Sequence, residues 1–334
     1  MDVDAYVAAH RGEWDRLDRL VRRRGRLTGA EADELVTLYQ RTATHLSVVR
    51  SASPDPALVG RLSTLVARAR SAVTGAHDPA WRDVARFFTV VFPAAVYRSA
   101  PWWVSAAAAS SLVAAVIAVW VATTPRVQAS VATPEEIRQL VEVEFERYYS
   151  ANPAPSFAFQ LWTNNAWVAA LSLALAVPTL GLGVLWVLMS NAANVAVAAG
   201  LMAAHGRLGL FFGLILPHGL LELTAVFVAA GAGLRLAWTL VDPGPRARAA
   251  ALAEEGRAAG ALAMGLAVVL LVSGVIEAFV TPSGLPAAAR VGIGLAAEAA
   301  FLGYVGVLGR RAVRAGQTGD LEGSAAGDVA PTAA

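Results

Sequence analysis

Apolar and polar positions divide the chain into two parts of different texture. Up to about residue 100 the apolar residues recur at helical spacing between charged ones. Trp14, Leu17, Leu20 and Val21 mark a first helix, which the pattern ends at Gly25. Thr28 and Glu31 have the spacing of a capping box and open a second, whose apolar face carries Leu35, Leu38, Tyr39, Leu46 and Val49. Ser53 and Pro54 start a third, with Leu58, Leu62, Leu65, Val66 and Val73 on one side. Asp78 and Pro79 open a fourth segment, to Arg98. It mixes Trp81, Phe87, Phe88 and Phe92 with Arg82, Arg86 and Arg98, as does an amphipathic helix lying on a membrane surface.

Beyond residue 100 the apolar residues merge into runs that reach the ~20 residues needed to cross a bilayer. The pattern places six spans, at about 101–124, 164–180, 184–204, 217–240, 258–280 and 288–308. Trp102 and Trp103 anchor the first at the interface. Between the first and second, 125–163 is a polar loop with a capping box at Thr133 and Glu136, which starts a helix towards Tyr149. The breaker cluster Pro178 to Gly183 makes a tight turn between the second and third spans. Pro217 lacks an N–H and disfavours helix just before it, so the fourth span starts there, with 208–216 as a short or re-entrant segment. The tail 311–334, rich in Gly, Ser, Ala and Asp, is expected to be disordered and cytoplasmic. The fold class is therefore all-α: a polytopic membrane helical bundle (101–310) behind an N-terminal cytoplasmic helical region (1–100).

Composition agrees: 56% of the 334 residues are hydrophobic and only 16% charged, well below the quarter usual in soluble proteins. With no cysteine there are no disulfides or thiolate metal sites, and all 27 basic residues are arginine, which with the abundant alanine fits a GC-rich bacterial genome. Residues 1–100 hold fifteen arginines against eleven acidic residues, whereas 125–163 holds three against five glutamates. The positive-inside rule then places both termini in the cytoplasm and 125–163 outside the cell membrane. The charge of the N-terminal region, including Arg22 to Arg24, reads as a solvated face and not as a nucleic-acid surface.

Candidate chemistry is confined to the polar residues at membrane depth. His218 and Glu222 are spaced i,i+4 and share one helix face, and Glu277 lies about one turn from the outer end of its span. These three, with Asn164 and Asn165, can share one pocket in the outer leaflet; Glu298 is a further intramembrane carboxylate. One helix offering His218 and Glu222 supplies at most two metal ligands, short of the three usual at catalytic zinc, so no metal or other cofactor is expected. No protease, hydrolase or phosphate-loop signature is present, and no catalytic residue is assigned.

Four stretches resemble the stage II sporulation protein M family over about 101–310. They are Asn164-Asn165, Leu216 to Leu223 (with Pro217, His218, Gly219 and Glu222), Ala230 to Leu236 (with Gly231, Gly233 and Arg235), and Ile276 to Pro282. The N-terminal region is similar to an extension of the longer members. The resemblance implies a non-enzymatic membrane scaffold or anchor that contacts lipids and recruits membrane or cell-envelope proteins. Peptidoglycan-remodelling enzymes are the implied partners in sporulating relatives. In relatives from bacteria that do not sporulate the implied partner is a MoxR-type ATPase system, since they are often encoded near such ATPases and RDD-type membrane proteins. The alternative reading is a transporter or channel-like protein using the His/Glu pocket.

Overall fold

A computed structural model describes residues 3–23, 27–52, 56–73, 80–148 and 154–321. No strand occurs among the described residues, and they divide into two compact units, 1–84 and 85–334.

The first unit packs α1 (Val3–Arg22), α2 (Gly29–Ala52) and α3 (Pro56–Val73) around one core. Trp14, Leu17, Leu20, Leu35, Leu46, Val49, Leu62 and Leu65 are buried there, the stripes that helical spacing singles out. The capping box forms: the Thr28 N–H donates to Glu31 at 3.0 Å and the Glu31 N–H to Thr28 Oγ1 at 3.3 Å. Gly25, Ser53, Pro54, Asp78 and Pro79, taken as helix boundaries, lie outside the described residues. Arginines at the surface are taken up by acids of neighbouring helices, Arg16 holding Glu34 through two bonds and Arg68 holding Asp18.

The second unit begins within a helical run, α4, which goes from Ala80–Arg86 through a π-helical turn, Phe87–Val91, to Phe92–Arg98. Its last part is not a surface helix. Phe92 to Val96 are all buried, because Phe92 lies against Gly265, where any Cβ would collide with its ring. Then come α5 (Ala100–Thr123), α6 (Pro125–Val131), and α7, which runs from Pro134–Gln139 through a π turn to Phe145–Arg147. The rest of the bundle is α8 (Ala154–Ala176), α9 (Leu182–Ala204), α10 (Leu208–Val241), α11 (Arg248–Val275, prolonged by a π turn, Ile276–Val280) and α12 (Ala287–Tyr304, continuing to Arg314). The capping box at Thr133 and Glu136 forms, and the turn before α9 has Gly181 at φ 88°, a backbone that glycine alone adopts without strain.

Five of these helices are long and apolar enough to cross a membrane: α5, α9, α10, α11 and α12. On α5, Leu112, Val116, Val119 and Trp120 face outward, an apolar surface suited to lipid. The helix α8, the expected second span, begins at Ala154 instead of 164 and is not among the five.

At the centre stands α10, packed against α5, α8, α9, α11 and α12. It runs unbroken through Pro217, so the helix start at that proline and the re-entrant segment 208–216 are both overturned. Neighbours hold the helix through the missing N–H: Gly294 of α12 lies so close to the Leu216 and Pro217 carbonyls that a Cβ there would sit 2.6 and 2.5 Å from them. Its small residues let other backbones in. A Cβ at Gly231 would lie 2.5 Å from the Trp103 backbone, and one at Gly233 2.8 Å from the Ser172 carbonyl. Gly219 faces Ile215 of its own helix.

Candidate functional site

The polar residues of α10 form two groups, one near each end. In the first, α10 brings His218 and Glu222 to face Glu277, which stands in the π turn closing α11. His218 Nε2 is 3.5 Å from Glu277 Oε1, and both side chains are only 5% exposed. The other ring nitrogen, Nδ1, is 3.3 Å from Thr281 Oγ1, and Thr281 is fully buried. Ser273 Oγ donates to the His218 carbonyl at 3.0 Å, a second tie between α10 and α11. Glu222 completes the cluster: one ligand atom each from His218, Glu222 and Glu277 lies within 4.8 Å of the others. Asn165 of α8 lies beside the Glu222 side chain.

Two of the membrane-depth polar residues singled out in the sequence stay out. Asn164 points away, into an open depression with Tyr148, Gln160, Thr163 and Trp167, because consecutive helix residues are turned about 100° apart. Glu298, from α12, accepts a bond from Thr224 at 2.9 Å instead, on another side of α10 from Glu222. A residue that sequence reasoning passed over comes close: burial first, then the Glu277 and Glu222 charges, push the Tyr148 phenol above its ordinary value. The ligand arithmetic also changes. Counting along one helix gave two ligands, and the fold supplies Glu277 as a third.

The second group lies 17 residues further along α10, about 25 Å at the helical rise. Arg235 donates to Glu255 at 2.8 Å, with Arg98 at 3.4 Å and Arg246 at 3.7 Å from the same carboxylate oxygen. Glu254 also pairs with Arg98 and Arg246. The segment after α12, expected to be disordered from 311, is ordered to 321 and closes this end. Arg257 grips Asp320 through two 2.7 Å bonds, Arg98 donates to the Thr318 carbonyl, and Gly319 (φ 78°) lies against Ala95. Trp102 and Trp238, 6.1 Å apart, mark the same level of the bundle. Of this network only Arg235 was legible beforehand. The visible signal for the rest was the adjacent pair Glu254-Glu255 among Arg246, Arg248 and Arg257.

Comparison with known proteins places these features. A family model described as a domain of unknown function (DUF8413) matches residues 4–75, within the first unit. Among curated proteins and among solved structures nothing matches. The model of the family described as stage II sporulation protein M matches residues 107–282, slightly more than half of the chain, and takes in both His218 with its carboxylate partners and the Arg235–Glu255 pair. The chain therefore belongs to the stage II sporulation protein M family.

Proposed function

We propose that this protein is a non-enzymatic membrane scaffold whose N-terminal unit recruits partner proteins to the bilayer. The observation that carries the reading is the division of labour between the two units. The first has its own core and corresponds to a domain family of its own, as a recruiting module does. In the second unit, the polar residues are spent on holding helices together. His218 and Glu277 are each 4% exposed, so the competing transporter reading, which needs them on an aqueous path, draws no support from their burial. With α8 proposed as a sixth crossing beside the five longer apolar helices, the orientation proposed is both termini in the cytoplasm and 125–148 outside, from the arginine asymmetry. The first unit then faces cytoplasmic partners, of which a MoxR-type ATPase is the leading class. Peptidoglycan-remodelling enzymes would meet the outer loop.

Two experiments test this. The chain has no cysteine, so single cysteines can be labelled with an impermeant reagent in intact cells. Ser130→Cys is expected to react and Ser51→Cys to stay silent; the opposite pattern overturns the orientation. Mild crosslinking in native membranes then compares the full chain with one lacking residues 1–84. The recruiting role predicts that an ATPase crosslinked to the full chain is lost on deletion while membrane insertion persists. An unchanged set of crosslinked proteins overturns it.

A further inference from the structure

We infer that His218, Glu222 and Glu277 form a binding site for one divalent transition-metal ion that clamps α10 to α11. This does not depend on the scaffold reading. Zinc-class ions hold imidazole nitrogen and carboxylate oxygen at about 2.0–2.2 Å, which spaces tetrahedral ligands about 3.4 Å apart. The His218 Nε2 to Glu277 Oε1 separation of 3.5 Å already has that span. Glu222, within 4.8 Å of both, closes the rest by a side-chain adjustment.

The surroundings supply what such a site needs. A histidine that binds metal through one ring nitrogen usually donates from the other, which fixes the tautomer. Here Nδ1–H is placed to donate to Thr281 Oγ1 at 3.3 Å, leaving the Nε2 lone pair towards the carboxylates. Asn165, beside Glu222, is placed to steady that carboxylate. A divalent ion with two carboxylates sums to zero charge, the favoured balance for a buried cluster inside an apolar bundle. One imidazole and two carboxylates suit zinc, cobalt or manganese, whereas magnesium and calcium favour oxygen-only sets.

A second group, His10, Glu13 and His45 in the first unit, also brings three ligand atoms within 4.8 Å, so the test must separate the two. The full chain is purified in detergent, stripped with chelator, dialysed against Zn2+, Co2+ or Mg2+ and assayed for bound metal. About one equivalent of Zn2+ or Co2+ and none of Mg2+ is expected. Glu277→Gln should lose that equivalent, whereas Glu298→Gln and His45→Ala should keep it. A folded wild type that retains no Zn2+ or Co2+ overturns the proposal, as does an equivalent that survives Glu277→Gln or leaves with His45→Ala. Should Glu277→Gln fail to fold, pulsed electron paramagnetic resonance of the Cu2+-loaded wild type decides. One coupled imidazole supports the site, and two point to His10 and His45.

Discussion

At the scale of single residues, the arginine group shows how burial sets the worth of a charge. Glu255 is 6% exposed and is faced by Arg235, itself 19% exposed, whereas Arg246 is 37% exposed. Removing the acid strands a largely buried guanidinium, and breaking one side of such a pair costs several kcal/mol. Arg246 can turn to water when its partner is lost. Glu255→Ala is therefore expected to destabilise the bundle by about 2–3 kcal/mol, and Arg246→Ala by less than about 1 kcal/mol. Unfolding titrations of both variants in the same detergent check the order; equal losses would mean that Glu255 is not the centre of the network.

Whole elements were unevenly legible. The stripes of α1 to α3 could be read because Trp14, Leu17 and Leu20, then Leu35 and Leu38 with Leu46 and Val49, then Leu62 and Leu65, each recur within one helix at a period that a helix buries together. The extent of α10 could not, since the local preference of Pro217 points to a helix start and only packing by Gly294 and its neighbours outweighs it. His218 and Glu222 were visible as a pair through their spacing, and Glu277 through its place near the end of a span. Which of Asn164, Asn165 and Glu298 joins them depends on helix rotation, and runs this rich in apolar residues give no clear polar face from which to read it. Small residues carry the complementary prediction. Gly231→Ala places a Cβ 2.5 Å from the Trp103 backbone, so α5 and α10 must part, at about 1–3 kcal/mol. Gly260 of α11 has open space around it, and Gly260→Ala should leave the melting temperature unchanged or raise it. Equal melting temperatures for the two variants would contradict the close α5–α10 crossing.

Taken whole, the chain joins two bodies that answer to different solvents, and pH separates them. In the first unit, burial, and next the neighbouring His10, hold the His45 pKa below its ordinary 6.5, with Glu13 opposing and Arg41 adding to the shift. Trp14 Nε1–H donates to His45 Nδ1 at 3.2 Å, a bond that requires this nitrogen unprotonated. The unfolded chain therefore takes up the proton first as pH falls through 6.5, and stability present above that pH is lost below it. The bond from Arg22 and the charge of Arg68 lower the Asp18 carboxyl below its usual 3.8, which adds a further loss in stronger acid. Residues 1–84 expressed alone should melt cooperatively, at a higher temperature at pH 7 than at pH 5, and His45→Gln should shrink that difference. Identical melts at the two pH values would remove His45 from the account. The second unit carries a different constraint, one of timing. Arg98 waits for the Thr318 carbonyl, 220 residues later in the chain, and Arg257 for Asp320. Every helix of the bundle is synthesised before its arginine end can shut, so during biogenesis that end is the last to be sealed and stays open to proteases and chaperones. A chain stopped after Leu321 should resist proteolysis as the full chain does, and one stopped after Arg314 should be cleaved faster between α4 and α11.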